Sequence, residues 1–307
     1  MSRRQSGTIR FIKLLFILSL LGIIGYFVST LLHKEPVISP LPPTETKSTS
    51  VLSFLSKKKN PEELKTKIKQ KIGLTWKNYS ILVVDIKSDF RVAINDTEMF
   101  TAASVNKIPI LAALYIGIQN QDIDPDKVIT IQEEDIQDYG TGSIRYDGTG
   151  STYTIKTLGR LMMQQSDNTA AYVLANHIIG IDTIQSLLTS WGMVQTDMIN
   201  NKTANNDVFK IIKKIYEGNI ANPAYTQEML AFFKDTEFED RIPGLLPKNI
   251  EVYHKIGSEI GFLHDVGVVI GPTTTYYIGI MTSDITDEKQ ATKLMAEVSK
   301  LIYDYMK

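Results

Sequence analysis

The hydrophobic and polar positions divide the chain into a basic start, one long apolar stretch, a polar connector and a patterned region that fills the rest. Residues 1–13 carry basic side chains and no acid, and residues 14–32 (LLFILSLLGIIGYFVSTLL) carry no charge. An apolar stretch of about 20 residues can cross a bilayer as a helix, and a basic flank favours a cytoplasmic N-terminus. The pattern therefore predicts a single membrane anchor with the remainder of the chain outside the membrane.

The region after the apolar stretch is polar and rich in proline. Residues 33–60 have a Pro, Ser, Thr and Lys content that favours an extended linker over a packed core. A cleaved signal peptide is the alternative to an anchor, but no A-x-A-like site follows the stretch, and a lipobox is impossible without cysteine. We therefore expect a basic tail at 1–13, an anchor at 14–32, a linker at 33–60 and a folded domain at 61–307.

Strand and helix patterns are segregated along the predicted domain. Apolar runs, some of them alternating with polar residues, predict strands. These lie at residues 80–86, 90–94, 250–257, 265–270 and 276–281. Helical patterns dominate residues 155–233, and an amphipathic helix at 288–306 closes the chain. This order predicts an α+β domain whose sheet is built from both ends of the sequence.

Composition and charge remove several classes of function. A net charge of −1 gives no electrostatic case for nucleic acid, and the lack of cysteine excludes disulfides, thiolate metal sites and cysteine nucleophiles. The 4 histidines stand at His33, His177, His254 and His264. Their spacing does not match a metal-ligand motif such as H-E-x-x-H. We therefore expect no metal, no cofactor and no nucleic-acid partner.

A serine and a lysine lie three residues apart where a loop leads into an apolar helix. The segment FTAASVNKIPILAALY (residues 100–115) places Ser104 at the entrance of the predicted helix and Lys107 about one turn later. A serine becomes a nucleophile when a base takes its proton, and a desolvated lysine can be that base. Taken alone, the pair is equally consistent with an N-capping serine followed by a solvated lysine.

Further segments of the sequence favour the catalytic interpretation of Ser104 and Lys107. SDN occupies residues 166–168, and KIG at residues 255–257 is a near match to K-T-G. S-x-x-K, S-D-N and K-T-G together are the signature of class A β-lactamases and penicillin-binding proteins. The three motifs occur here in that order, together with RIPGLLP at 241–247 and DVGVV at 265–269. The chain therefore resembles class A β-lactamases, over nearly all of residues 80–307.

The resemblance implies a fold and a catalytic mechanism. The implied fold is α+β, with an antiparallel sheet from both chain ends, flanking helices and an inserted helical subdomain. Ser104 is the implied nucleophile, and Lys107 accepts its proton or holds the local proton network. Ser166 is implied to relay a proton to the leaving nitrogen, and Lys255 to supply positive potential for Ser166 and for the substrate carboxylate. The implied oxyanion hole is formed by the backbone N–H groups of Ser104 and Ser258.

The resemblance also implies a set of substrate contacts. These are Asn168, Tyr139, Gly257, Ser258 and His264. Asn168 is implied to hydrogen-bond the amide side chain of the substrate, and Tyr139 to form an aromatic wall of the pocket. Ile256 stands where the family usually has threonine or serine, so a hydroxyl donor to the substrate carboxylate is missing. We expect Ser258 or His264 to offset that loss.

A second departure from the family pattern concerns the step that frees the acylated serine. Class A β-lactamases use a glutamate between the second and third motifs to activate the deacylating water. This sequence has no glutamate between Ser166 and Glu217. Asp197 and Asp207 are candidate substitutes, but a general base needs hydrogen-bond reach to its water. We therefore predict that acylation survives and that deacylation of β-lactams is slow.

The sequence thus predicts a membrane-anchored serine hydrolase, acylated at Ser104 by β-lactams or by D-Ala-D-Ala-type peptides such as peptidoglycan stem peptides. This is closest to the D,D-peptidases built on the class A fold. Two alternatives stay open, namely a true class A β-lactamase with another deacylation base and a penicillin-binding sensor or structural domain without turnover. The expected location is the bacterial cell membrane, crossed once, with the N-terminus in the cytoplasm and the catalytic domain outside.

Overall fold

The computed structural model describes residues 59–307. The predicted tail and anchor, and nearly all of the predicted linker, lie outside the described residues, so their boundaries stay predictions. Within residues 59–307, no helix combines the length and the apolar character that a membrane crossing requires. The helices and strands that the structure describes belong to this region, which the sequence predicts to be the folded domain.

The strands that the structure describes form one large antiparallel sheet and two short pairs. They are β1 (Asn78–Asp85), β2 (Arg91–Ile94), β3 (Met99–Thr101), β4 (Val128–Thr130), β5 (Thr152–Thr154), β6 (Lys202–Ala204), β7 (Glu251–Glu259), β8 (Phe262–Ile270) and β9 (Thr275–Ser283). The large sheet has 5 strands in the order β2-β1-β9-β8-β7, and the pairs are β3–β6 and β4–β5. Because β1 pairs with β9, the start of the domain is joined to its end. The predicted α+β fold with a sheet from both chain ends is confirmed.

Helices cover both faces of the large sheet. They are α1 (Pro61–Ile72), α2 (Lys107–Gln119), α3 (Ile144–Asp147), α4 (Ile155–Gln164), α5 (Asn168–Val173), α6 (Ile181–Ser190), α7 (Asn205–Tyr216), α8 (Pro223–Ala231) and α9 (Glu288–Met306). Ile81 and Val83 share one core with residues of α1 and α9. Leu82 and Met281 share the other core with α2 and the helices of the inserted region. Successive strand residues point to opposite faces, so a continuous apolar strand such as β1 supplies both cores.

Helix α2 is surrounded by other helices. Its residues 107–115 are all buried, and it contacts α4, α6, α7 and α8. A helix that is apolar all round is expected in such a position. Because Lys107 is its first residue, the lysine side chain lies inside the domain and not in solvent.

The start of α2 differs from the prediction. Ser104 lies in a short 3₁₀ turn, Ala103–Asn106, and the α-helix begins only at Lys107. Ala103 has a φ of 47°, in the left-handed region that non-glycine residues rarely adopt. The turn is held from outside, since the backbone N–H of Ala102 donates to the backbone O of Asn201 at 2.8 Å. The pattern of hydrophobic residues near Ser104 cannot predict this turn, because its conformation depends on a hydrogen bond to a distant loop.

Candidate active site

Ser104 and Lys107 are in contact at the entrance of α2. The side chain of Lys107 is buried (the residue is 6% exposed), and its Nζ lies within hydrogen-bond distance of Oγ of Ser104, at 3.0 Å. The same amine donates to the backbone O of Ser166 at 2.6 Å and to Oδ1 of Asn168 at 2.7 Å. The alternative of a solvated lysine does not fit this burial, and the first two motifs meet at one amine.

Burial changes the charge state of Lys107. Desolvation lowers the Lys107 pKa to about 7, although the neighbouring Asp167 carboxylate acts in the opposite direction. A large share of the amine is therefore neutral at neutral pH and has a lone pair that can take a proton. A neutral amine 3.0 Å from a serine hydroxyl is the arrangement that general-base activation of the serine requires.

Ser166 lies between two amines. Its Oγ accepts from Nζ of Lys107 at 3.2 Å and from Nζ of Lys255 at 2.9 Å. Because both amines donate to this oxygen, the hydroxyl hydrogen of Ser166 is left for another acceptor, such as a ligand. Burial, together with the charge of Lys107, holds the Lys255 pKa well below its usual value. The second and third motifs are thus joined through one hydroxyl.

Asp167 has a structural position in the second motif. It caps α5, because its Oδ1 accepts the backbone N–H of Ala170 at 2.9 Å. Its Oδ2 accepts the backbone N–H of Ile144 at 3.0 Å. Both carboxylate oxygens are engaged, so Asp167 braces the loop around Ser166 instead of facing a ligand.

The loop that carries Tyr139 lies against Asn168. Nδ2 of Asn168 donates to the backbone O of Tyr139 at 2.9 Å. The chain passes so close that a Cβ on Gly140 would lie 2.5 Å from the same Nδ2, and the φ of 69° at Gly140 also favours glycine. The side chain of Tyr139 is 64% exposed, which leaves its ring available to a ligand at the edge of the site.

The third motif lies on β7, at the edge of the large sheet. A Cβ on Gly257 would lie 2.9 Å from the backbone O of Ala102, so glycine allows the strand to approach the turn that holds Ser104. Ile256 is buried, and Ser258 is exposed just beyond the glycine. The edge strand therefore places Gly257 against the turn that holds Ser104, with Ser258 as the next residue of the strand.

Arg241, for which the sequence alone predicts no role, belongs to this site. Arg241 is buried, and its guanidinium donates to the backbone O of Gly257 at 3.1 Å and of His264 at 2.7 Å. A further N–H group donates to Oγ of Ser258 at 2.5 Å. The available sequence signal was a charged residue at the head of the apolar segment RIPGLLP, shortly before the third motif.

His264 does not reach the substrate side of the site. The residue is fully buried, with Nε2 2.7 Å from the backbone O of Thr101 and Nδ1 accepting the backbone N–H of Thr282 at 3.2 Å. Burial lowers the His264 pKa to about 4, so the ring is neutral. Because both nitrogens are bonded within the protein, His264 cannot offset the hydroxyl missing at Ile256. The expectation of a substrate contact at His264 is corrected, and Ser258 stays the predicted donor.

Both candidate substitutes for the missing glutamate are engaged elsewhere. Asp197 accepts the backbone N–H groups of the second and third residues after it, each at 2.9 Å. Asp207 is buried and accepts the backbone N–H of Gln195 at 2.7 Å. The carboxylate charge that opposes the lowering of the Lys107 pKa is that of Asp167. The described part of the chain also has no cluster of three acidic or histidine side chains that could hold a metal.

Comparison with known proteins then identifies the family. The Beta-lactamase enzyme family matches residues 63–306. The chain belongs to this family. A β-lactamase of Bacteroides uniformis is 24% identical over 245 residues, which cover 69% of this chain and 81% of that protein. The β-lactamase BRO-1 of Moraxella catarrhalis is 21% identical over 272 residues, covering 80% of this chain and 87% of that protein.

Solved structures show the same fold. PBP-A superposes with a TM-score of 0.72 at 24% identity, over 79% of this chain and 95% of PBP-A. The TLA-1 extended-spectrum β-lactamase gives a TM-score of 0.74 at 20% identity, over 80% of this chain and 98% of TLA-1. The predicted class A β-lactamase-like fold is confirmed, and family membership makes the protein a serine hydrolase of the β-lactamase type.

Proposed function

We propose that this β-lactamase family member is acylated at Ser104 by β-lactams and by peptides that end in D-Ala-D-Ala, with the turnover of a D,D-peptidase. The observation that carries the proposal is the buried Lys107 amine 3.0 Å from the Ser104 hydroxyl. A PBP-A mutant solved as an acyl-enzyme complex with penicillin G shares this fold with a TM-score of 0.73, and it supports acylation on such a scaffold.

The acylation steps follow from the hydrogen-bond distances around Lys107 and Ser166. Oγ of Ser104 attacks the carbonyl carbon while Nζ of Lys107 takes its proton, and backbone N–H groups of Ser104 and Ser258 hold the oxyanion. The carbon–nitrogen bond then breaks, and Ser166 gives its hydroxyl proton to the leaving nitrogen. The proton held by Lys107 returns to Ser166 across 3.2 Å, so the serine is regenerated as a hydroxyl.

Substrate binding uses the groups around this proton path. Asn168 contacts the amide side chain of the acyl donor, and the exposed ring of Tyr139 covers it. The substrate carboxylate binds at Ser258, beside the guanidinium of Arg241 and next to Gly257. These groups supply the donor that the third motif lacks, and charge-assisted hydrogen bonds are the stronger kind.

Slow release of β-lactam products follows from the engaged carboxylates. Both oxygens of the buried Asp207 are bonded, to Gln195 and to Lys210. The hydrogen bond from the Asn200 side chain lowers the pKa of Asp197, so both aspartates are poor bases for water at the acylated serine. A true β-lactamase is the second candidate function, and the names of the curated relatives favour it. It would require Lys107 to act as the base for water as well as for Ser104.

A fluorescent penicillin is expected to label the wild-type protein covalently and to stay bound long after free label is removed. Ser104→Ala, the matched control, is expected to take no label. Gel fluorescence followed over time measures both. Rapid loss of the label would favour the true β-lactamase, and an unlabelled wild-type protein would defeat the proposal. Release of D-alanine from a D-Ala-D-Ala peptide then separates a peptidase from a penicillin-binding sensor.

We also propose that the enzyme is held at the outer face of a bacterial cell membrane by residues 14–32. The support is the uncharged stretch with its basic flank. In membrane fractions, full-length protein labelled with fluorescent penicillin is expected to sediment with the membranes. A chain that begins at residue 59 is expected to be labelled equally and to stay in the supernatant. Full-length protein in the supernatant would contradict the anchor.

A further inference from the structure

The strand that carries Lys255 also carries a buried histidine. His254 is 1% exposed, and its Nδ1 lies 2.9 Å from Oδ1 of Asp265 on β8. Its Nε2 lies 3.3 Å from Oε1 of Glu239. Burial lowers the His254 pKa, but the two carboxylates together outweigh it and raise the pKa to about 9. The ring is therefore an imidazolium near neutral pH, and each of its N–H groups faces a carboxylate.

The imidazolium helps to hold the chain on both sides of Arg241. On one side, Oε1 of Glu239 contacts the ring. On the other side, the backbone N–H of Ile242 donates to Oδ2 of Asp265 at 2.9 Å, so one carboxylate serves both the ring and the chain. Arg241 lies between these two points, and its guanidinium extends to Oγ of Ser258.

We propose that His254 is a positioning residue for substrate binding. Its bridge between two carboxylates holds the guanidinium of Arg241 beside Ser258, where the substrate carboxylate binds. His254 itself does not touch the substrate, because it is buried within the domain. The inference rests on the proposed function, since it concerns how the carboxylate of an acyl donor is recognised.

The physical reason is the charge that His254 balances. Asp265 is fully buried, and its charge already acts on the pKa values of Arg241 and Lys255. A buried carboxylate that loses its partner is strongly destabilised unless another cation approaches. Without the imidazolium, Asp265 draws the guanidinium of Arg241 inward and away from Ser258. Binding of the substrate carboxylate then weakens.

The test separates binding from acylation in the full-length protein. Time-resolved labelling with fluorescent penicillin gives the dissociation constant of the first complex and the rate constant of acylation. In His254→Gln, we expect the dissociation constant to rise about tenfold to hundredfold, as for loss of a charge-assisted hydrogen bond, with little change in the acylation rate constant. A penicillin methyl ester, which lacks the carboxylate charge, is expected to bind the variant and the wild type equally. Glu251→Gln, which removes a half-buried ion pair on the same strand, is the control without effect.

A double-mutant cycle identifies the route of the effect. Because His254 acts through Arg241, His254→Gln is expected to cause no further loss of affinity in an Arg241→Gln background. Additive losses would overturn the proposal. Glu239→Gln decides the question if His254→Gln does not fold, because it weakens the bridge on the other side of Arg241 and is expected to raise the dissociation constant by a smaller factor. A lower melting temperature with unchanged penicillin affinity in Glu239→Gln would show a merely structural role. An unlabelled wild-type protein would instead refute the proposed function.

Discussion

Replacing Lys107 with methionine is expected to lower the rate constant of acylation by penicillin about 10²–10⁴-fold, the usual contribution of a general base. Methionine has nearly the volume of lysine, so α2 keeps its packing while the amine that contacts Ser104 is lost. Time-resolved labelling with fluorescent penicillin measures the rate constant. Lys213→Met, which alters a half-buried lysine on α7, is the control and is expected to react like the wild type.

The pH dependence of the acylation rate constant in the wild-type enzyme tests the same role of Lys107. Only the neutral amine can take the proton of Ser104, and burial lowers the Lys107 pKa to about 7. The rate constant of acylation is therefore expected to fall below pH 7 and to level off above it. Lys107→Met is expected to lose this transition together with most of the rate. A variant that keeps both the wild-type rate and the transition would show that another group is the base.

The fold was largely accessible from the sequence, because its strands are long and strongly apolar. Residues 80–86 predicted β1, and residues 265–270 and 276–281 predicted most of β8 and β9. The turn at Ser104 could not be predicted from the sequence. Its 3₁₀ geometry depends on a backbone hydrogen bond to Asn201, a contact that no local pattern encodes.

Residues of the candidate site could be predicted from the sequence only where they belong to short motifs. Ser104, Lys107, Ser166 and Lys255 stand in such motifs, and the structure brings their polar groups together. Their catalytic roles stay predictions until the labelling experiments are done. Other positions depend on how distant segments pack, and spacing along the chain does not report that packing.

His264 shows why packing decides such positions. It pairs with Gly257 across β7 and β8, and cross-strand partners share one face of the sheet. The ring occupies the space beside the glycine, where a Cβ would lie 3.1 Å from Cδ2 of His264. It therefore lies beneath the turn that holds Ser104, bonded to Thr101, and not in the pocket. The pairing register of β7 with β8 and the absent side chain at Gly257 together place His264 in the core, and not in the pocket where a substrate contact was predicted.

A glycine beside the second motif provides the other large expected effect. Gly142→Ala is expected to lower the free energy of unfolding by about 3 kcal/mol, from strained backbone and overpacking together. Gly142 has a φ of 114°, and a Cβ there would lie 2.2 Å from Oδ2 and 2.5 Å from Cα of Asp167. Because the backbone of Asp167 cannot yield without moving Ser166, we also expect acylation to slow about 10²-fold, as for a misplacement of about 1 Å. Urea unfolding and penicillin labelling measure the two effects.

Gly148 in the same region is the matched control for Gly142. It also has a positive φ, 77°, but a Cβ there would meet nothing within 4 Å. Its backbone (φ 77°, ψ −177°) lies in a region adopted almost only by glycine, so Gly148→Ala is expected to cost only this backbone strain, about 1–2 kcal/mol, and to leave acylation unchanged. Equal losses of stability in the two variants would mean that backbone conformation alone sets the cost. The contact of a Cβ at position 142 with Asp167 would then contribute nothing to the loss of stability. Close packing of Gly142 against Asp167 would in that case not be what holds Ser166 between Lys107 and Lys255.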